Sequence, residues 1–273
     1  RKALETALEN DMQMQSYPRS GMAYLSFACE QSPTDSVAVR RAMAMALDRR
    51  ALVKDSMADT AAQVYGYYGL GQWIASFIEL EKPALEDEDP EQPEQAETPE
   101  PQIILSIPDM LDSLDVPFDM VGAEKLLEED GWIYNAEGGP FLAGGDAVRH
   151  REKDGAYEPL VIRFAVTTDN LVTDMIQALY AKSLPELGIR LELTEMSFPQ
   201  MIDHYTRQAD RNYDMFFMAS NFNYVFDPYY DFHTADVYQA AFNTTGLRDE
   251  TLMNLSLSMR STNVMDLLTY ART

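Results

Sequence analysis

The sequence has little of several features that would narrow its function. Cys29 is its one cysteine, so no disulfide can form within the chain, although exported proteins and cytosolic proteins can both be poor in cysteine. No run approaches the ~18 apolar residues of a membrane-spanning helix, and no signal peptide is recognisable. Basic residues are also scarce, since 21 Lys and Arg against 45 Asp and Glu give a formal net charge of −24. Such a charge disfavours nucleic acids and anionic lipid surfaces as partners.

Signatures of catalysis are equally scarce. The three histidines, His150, His204 and His233, lie far apart. Cys29 has no motif around it, and we expect it to be a small buried filler at the end of a strand. The Gly-Gly pair at 138–139 lacks the Lys-Ser/Thr that a phosphate-binding loop needs. The sequence therefore shows no catalytic constellation, and we expect neither an enzyme nor a cofactor.

One cluster of polar residues leaves two alternatives open. Asp227, Asp231, His233 and Asp236 fall within ten positions of one another, and carboxylate and imidazole groups are ligands for hard and borderline cations. Their spacing matches no defined metal loop, and aromatic residues interrupt it. Capping and solvation of a loop explains the same residues, and we expect no metal.

Residues 82–101 differ in composition from the rest of the chain. They contain five prolines, eight acidic residues and one lysine. Such a segment cannot bury apolar area or hold a helix, so we predict a solvated, disordered insertion. The helical patterns at 1–10 and 252–259 have no clear start or stop, so we also expect both ends to lie within a longer protein.

An α/β fold is predicted from residues 160–218. Apolar strand patterns at 160–166, 189–194 and 213–218 alternate with helical patterns at 170–187 and 199–209. This βαβαβ order predicts a mostly parallel sheet with helices on its faces.

Further elements are predicted before this unit. In chain order they are a strand at 22–27, a helix after the turn at 32–35, a helical stretch ending near 57, a short strand at 103–107, a helix at 119–130 and a turn or hairpin at 134–155. The strand at 22–27 is predicted to be buried on both faces or nearly so. The predicted buried face of the helix at 119–130 consists of Val121, Ala123, Leu126 and Leu127.

Topology alone suggests where a ligand binds. In open α/β sheets, ligands lie outside the carboxyl ends of the strands. The segment 219–228 leaves the last predicted strand at that edge and is polar and aromatic, which suits a binding loop. The second candidate is the segment 65–73, where three glycines predict a loop and four aromatic residues offer rings that stack on a ligand.

Several motifs, in order, resemble one family. They are VRRAMAMALDR at 39–49, AEKLLEEDGW at 123–132, LGIRLEL at 187–193, YDM at 213–215 and DP at 227–228, with YLSF at 24–27 before them. Together they resemble the bacterial extracellular solute-binding proteins, family 5. The resemblance covers most of the chain apart from residues 75–118 and the two ends.

The resemblance implies more than the residues do alone. Members of this family have two lobes that close on a solute, and residues 1–273 resemble the second, periplasmic-binding-protein-like lobe. Members bind oligopeptides, dipeptides, nickel chelates or sugars, and deliver them to the permease subunits of an ABC importer. They are exported and are often anchored as lipoproteins. The resemblance therefore implies peptide capture by a monomer outside the cell membrane or in the periplasm.

The candidate site follows from the same resemblance. Peptide-binding members carry an aspartate shortly before the DP turn that pairs with the peptide's α-amine. Here that stretch has no acid, and Asn223 or Tyr224 stands in its place. The loss of a charge-assisted contact puts recognition of a free amino terminus in question. The predicted ligand-binding residues are Tyr67, Tyr68, Trp73, Asn221, Asn223, Tyr224 and Asp227.

Two alternatives remain open from the sequence. The aromatic residues of 65–73 either stack on a ligand or pack the core of the lobe itself. The whole chain is either a solute-binding lobe or a non-transport module of another class, an interaction domain or a degenerate hydrolase-like domain. A catalytic domain fused to either end would favour the second class.

Overall fold

The computed structural model describes residues 17–57, 61–75, 114–223 and 226–263, with short stretches near the two ends (6–7, 10, 12–13, 266, 269–270 and 273). The predicted insertion at 82–101, the predicted strand at 103–107 and Tyr224 lie outside the described residues.

Strands and helices follow one another along the described chain. Their bounds are β1 Gly21–Phe27, α1 Val37–Met45, α2 Arg49–Met57, α3 Met120–Glu129, β2 His150–Lys153, β3 Ala156–Pro159, β4 Val161–Thr167, α4 Leu171–Ser183, β5 Arg190–Met196, α5 Phe198–Tyr205, β6 Met215–Asn221 and α6 Glu250–Ser261. Within these residues no helix is both long enough and apolar enough to cross a membrane.

The main sheet confirms the predicted βαβαβ unit. Its four strands lie in the order β1-β6-β4-β5, and β4 runs parallel to both β5 and β6. The first strand, β1, pairs with β6 in the antiparallel sense, so that Gly21 lies opposite Asn221 and Phe27 opposite Met215. The start of β1 therefore lies at the carboxyl edge of the parallel strands.

Apolar residues fill both faces of the sheet. Along β4, Ile162 and Phe164 join the larger buried cluster with α1, α3 and α4, whereas Ala165 joins a smaller cluster with α5. This alternation follows from the two-residue period of a strand. The protein is a mixed α/β lobe with helices on both faces, as the sequence predicts.

A buried network of hydrogen bonds lies at the amino end of β6. Asp214, just before β6, is 0% exposed. Its carboxylate accepts hydrogen bonds from the backbone N–H of Arg163 at 2.8 Å, from Nε and Nη2 of Arg163 at 2.8 and 2.6 Å, and from Nε2 of Gln31 at 2.9 Å. Four donors thus offset the desolvation of one buried carboxylate.

Two predicted burial patterns are wrong. Val121 is 78% exposed, while Ala123 and Leu127 are fully buried, because positions i and i+4 share a helix face and Val121 points well away from it. Strand β1 is half-buried rather than buried on both faces, since it lies at the edge of the sheet in the described part of the chain.

Several predicted boundaries shift by a few residues. The helix predicted at 170–187 ends at Ser183, because Pro185 cannot continue it. The helix predicted at 199–209 ends at Tyr205, and Arg207 adopts a left-handed backbone with φ of 60°. The turn or hairpin was predicted at 134–155, whereas the β2–β3 hairpin spans 150–159. Its turn at Asp154–Gly155 has positive φ at both residues, as a type I′ hairpin turn requires. Cys29 is half-buried rather than fully buried.

Candidate functional site

An open depression marks the carboxyl edge of the sheet. Strands β4 and β5 end there at Thr167 and Met196. The depression has a volume of about 520 Å³ and is lined by residues 167–172 together with Ser197 and Phe198. This is the edge at which sheets of this kind bind ligands.

The loop at 65–73 is anchored to this same edge. Gly71 N–H donates to the backbone oxygen of Arg19 at 2.8 Å. At Gly69 a Cβ would lie 2.4 Å from the backbone nitrogen of Gly21, so only glycine permits this close approach to the start of β1. The predicted loop therefore lies beside the end of β6.

Gln72 joins the loop to the segment after β6. Its side chain is buried; Oε1 accepts from Gly69 N–H at 2.8 Å, and Nε2 donates to the backbone oxygen of Asn223 at 3.4 Å. The two segments chosen from sequence on separate grounds are thus in contact.

Four aromatic rings and one carboxylate form what we call the aromatic corner. The ring of Tyr67 lies 4.9 Å from that of Phe222, 5.9 Å from that of Phe226 and 5.4 Å from that of Phe232. Its hydroxyl donates to Oδ2 of Asp231 at 3.3 Å. Burial, followed by the neighbouring Asp231 charge, raises the pKa of Tyr67, so the hydroxyl keeps its proton and donates it.

Asp231 is a half-buried carboxylate in this corner. Burial raises its pKa, the hydrogen bond from Tyr67 lowers it in part, and the nearby Asp227 charge raises it further. The net direction is upward, because one neutral hydroxyl compensates the lost hydration only partly.

Asp227, on the same loop, forms a bidentate ion pair with an arginine. Arg260 of α6 donates from Nε to Oδ1 at 2.9 Å and from Nη2 to Oδ2 at 2.6 Å. The guanidinium also lies 4.2 Å from the ring centre of Tyr229 and 4.5 Å from that of Tyr230. The hydrogen bonds from Arg260 lower the pKa of Asp227. Its carboxylate therefore fastens the loop to α6.

The remaining predicted site residues lie around this corner. Tyr68 is half-buried, and burial raises its pKa. Trp73 packs its ring 5.5 Å from that of Tyr270. Asn221 is exposed, and its Oδ1 accepts from Nη2 of Arg19 at 2.9 Å. Asn223 is exposed.

Sequence reasoning missed three parts of this arrangement. Gln72, Phe222 and Arg260 hold the corner together, but no pattern in the sequence pairs Arg260 with Asp227, 33 positions earlier. Asp231 entered only as a candidate metal ligand. Its true neighbour, Tyr67, is 164 positions away, and a spacing of that length carries no local signal.

The acidic residues of the metal hypothesis have other partners. Asp236 accepts from Nη2 of Arg248 at 2.6 Å, and Nδ1 of His233 accepts from the backbone N–H of Ala235 at 3.0 Å. Among the residues that the structure describes, no group of three or more His, Cys, Asp or Glu could hold a metal ion. In the structure these side chains accept hydrogen bonds from loop backbone N–H groups or form ion pairs with arginine.

This architecture defines a periplasmic-binding-protein-like lobe. The sequence model of the bacterial extracellular solute-binding proteins, family 5 (middle region), matches residues 2–241, and the chain belongs to that family. No curated protein matches the chain.

Solved structures show the same fold. The oligopeptide-binding protein AppA from Bacillus subtilis, in complex with a nonapeptide, is 16% identical with a TM-score of 0.67 over 99% of this chain and 48% of its own. An oligopeptide-binding protein from Thermus thermophilus, complexed with a pentapeptide, is 17% identical with a TM-score of 0.65 over 93% and 39%. NikA from Brucella suis, in complex with Fe(III)-EDTA, is 18% identical with a TM-score of 0.60 over 99% and 47%. The chain thus spans about half or less of the length of these proteins.

Proposed function

We propose that this chain captures a solute for an ABC importer, and that the solute is an oligopeptide or dipeptide. The solute is held between this lobe, residues 1–273, and a second lobe that closes over it. Permease subunits receive the solute, and the whole protein is an exported monomer held at the membrane through a lipid anchor.

One observation supports the proposed location of the binding site. The loop at 65–73 and the segment after β6 meet at the carboxyl edge of the sheet, joined by Gln72 and the aromatic corner. Family membership supports solute capture, and the names of the AppA and Thermus structures support peptides. The Fe(III)-EDTA complex of NikA shows that the fold also accepts other solutes.

The predicted residues divide into two proposed roles. Tyr67 supports the site, because three phenylalanine rings already surround its own ring. Tyr68 and Trp73 remain the proposed stacking surfaces, and Asn221 and Asn223, both exposed, the proposed hydrogen-bonding groups. Asp227 positions the loop through Arg260. Tyr224 stays a proposed contact from sequence.

The test is to identify what the protein carries. The two-lobed protein is purified without denaturant from its native host, a bound mass is measured by native mass spectrometry, and the ligand is released and sequenced. We expect a ladder of short peptides. A single sugar or metal chelate would contradict the peptide proposal and keep solute capture. An empty protein that binds no peptide from a synthetic pool would contradict both.

A further inference from the structure

Two arginines share one carboxylate at the edge of the sheet opposite to the candidate site. Arg207 and Arg211 belong to the connection between α5 and β6, and Arg207 is near enough for its charge to act on Arg211. Glu30 reaches them from the segment after β1, with its Oε2 at 2.9 Å from Nη2 of Arg207. The cluster therefore has a net positive charge, in a chain whose formal net charge is −24.

The turn before α6 covers this cluster. Arg211 donates from Nη1 to the backbone oxygen of Thr244. Gly246 has a left-handed φ of 74°, and a Cβ there would lie 2.4 Å from Oε2 of Glu30 and 2.6 Å from Nη2 of Arg207. The backbone of the turn therefore packs directly against the charged side chains, and only glycine permits this approach.

Several donors of the two guanidinium groups have no acceptor. Nε of Arg207 and both Nε and Nη2 of Arg211 are buried, and none of the residues that the structure describes accepts a hydrogen bond from them. A guanidinium has five N–H donors, cannot accept and stays charged, so the burial of unpaired donors costs free energy. At the same edge, by contrast, the guanidinium of Arg163 is matched by Asp214.

The charges around Arg211 do not cancel. Burial has the largest effect and lowers its pKa, the positive charge of Arg207 lowers it further, and the negative charge of Glu30 raises it by less. The repulsion between the two guanidinium groups thus exceeds the attraction of the one carboxylate. A further negative charge at this place would offset that excess.

The acceptor that fits is small and negatively charged. Because the unpaired nitrogens are buried, a side chain of another molecule would not reach them. A single ion can enter beside Arg207 and Glu30, whose side chains are 21% and 36% exposed. A water molecule would accept hydrogen bonds, but it would not offset the charge, and its own hydrogens would need acceptors.

We propose that Arg207 and Arg211 together bind one small anion, chloride, beneath the turn before α6. The ion accepts hydrogen bonds from the buried nitrogens of both side chains. It thereby fastens the turn to the connection between α5 and β6. This site lies at the edge opposite to the solute site, and it does not depend on which solute the protein carries.

The experiment compares thermal scans of the two-lobed protein in sodium chloride and in sodium gluconate at equal concentrations, so that the cation and the ionic strength stay constant. The chlorine NMR line width of the chloride solution reports binding directly. Both measurements are made on the wild type, on R207Q, R211Q and E30Q, and on R248Q. R248Q is the matched control, because it removes an exposed arginine that is paired with Asp236.

We expect chloride to raise the Tm of the wild type by about 1–3 °C relative to gluconate, with a saturable dependence, because a ligand that binds only the folded state stabilises it. R248Q keeps this shift, whereas R207Q and R211Q lose it together with the broadening of the chlorine line. E30Q enlarges the shift, because the competing carboxylate is gone. A purely structural Glu30–Arg207 pair would instead make E30Q equally unstable in both salts.

Two results would overturn the proposal. The first is an equal Tm of the wild type in chloride and in gluconate, which would mean that water satisfies the donors. The second is a chloride shift of the same size in R211Q and in the wild type, which would place the ion elsewhere. If R211Q does not fold, E30Q decides, and a chloride shift no larger than that of the wild type refutes the site. Neither result bears on solute capture.

Discussion

The two ends of strand β6 handle a buried charge in opposite ways. Before the strand, Asp214 is fully buried and receives four hydrogen bonds from Arg163 and Gln31. After the strand, Asp231 is half-buried and receives one long hydrogen bond from Tyr67. The chain itself therefore satisfies the carboxylate at the amino end, whereas the carboxylate at the carboxyl end has a single donor.

The difference separates a carboxylate that the fold satisfies from one that it leaves with a single donor. A buried charge that belongs to the fold is matched by donors from the same chain. A half-buried carboxylate with a single neutral donor is compensated less well, and its burial costs stability at a pH where it is charged. Three variants test this contrast, in order of expected size.

The largest effect is expected at Asp214. Substitution of Asp214 by alanine leaves the guanidinium and backbone N–H of Arg163 without this acceptor and removes one of the two acceptors of the Gln31 amide, at a cost of about 3–5 kcal/mol. Chemical denaturation of the two-lobed protein measures it. The control D210A removes the same charge from an exposed position nearby, and a loss of similar size in both variants would contradict the prediction.

A smaller effect is expected at Arg260. R260A removes the bidentate contact with Asp227 and the contacts with Tyr229 and Tyr230. Both side chains are partly exposed, so solvent weakens the pair and we expect the Tm to fall by about 2–4 °C. R248A serves as the matched control, because its partner Asp236 is more exposed. The Tm of R248A should fall less than that of R260A.

The Arg260 contribution should also depend on pH. Arg260 lowers the pKa of Asp227, so the stabilisation is present above the unfolded-state pKa and is lost as the pH falls through the lower, folded-state value. Thermal scans at acid pH should therefore narrow the gap between R260A and the wild type, and a constant gap would count against the pair.

The smallest effect has the opposite sign. Burial raises the pKa of Asp231, so its contribution to stability is complete below the unfolded-state pKa and is lost as the pH rises through the folded-state value. At neutral pH, D231N removes this penalty, and we expect the Tm of the ligand-free protein to rise by about 1–2 °C. The gain should disappear in acid. A clear fall in Tm at neutral pH would identify Asp231 as structural.

Much of the fold was predictable because its signals are local. Strand and helix periods, caps such as Asn170 before α4, and the order of elements over 160–218 depend on residues close in sequence. The error at Val121, whose apolar side chain faces solvent, was one of helical period, since that position lies off the face shared by Ala123 and Leu127.

The site was only partly predictable. Topology places the segment after β6 at the carboxyl edge of the sheet, but the loop at 65–73 was chosen only for its aromatic residues, and its contact with that segment is a finding of the structure. The partners inside the aromatic corner were not predictable, because Tyr67 meets Asp231 across 164 positions and Gln72 meets Asn223 across 151.

By itself, the sequence determined the α/β class, the parallel βαβαβ unit and the family of this chain, because each follows from periodicity and from short motifs in order. Only the tertiary structure decided which of its many carboxylates are neutralised. Neutralisation of a carboxylate depends on which donors the fold brings within about 3 Å of it. In this fold Asp214 and Asp227 each meet an arginine, and Asp231 meets one neutral hydroxyl.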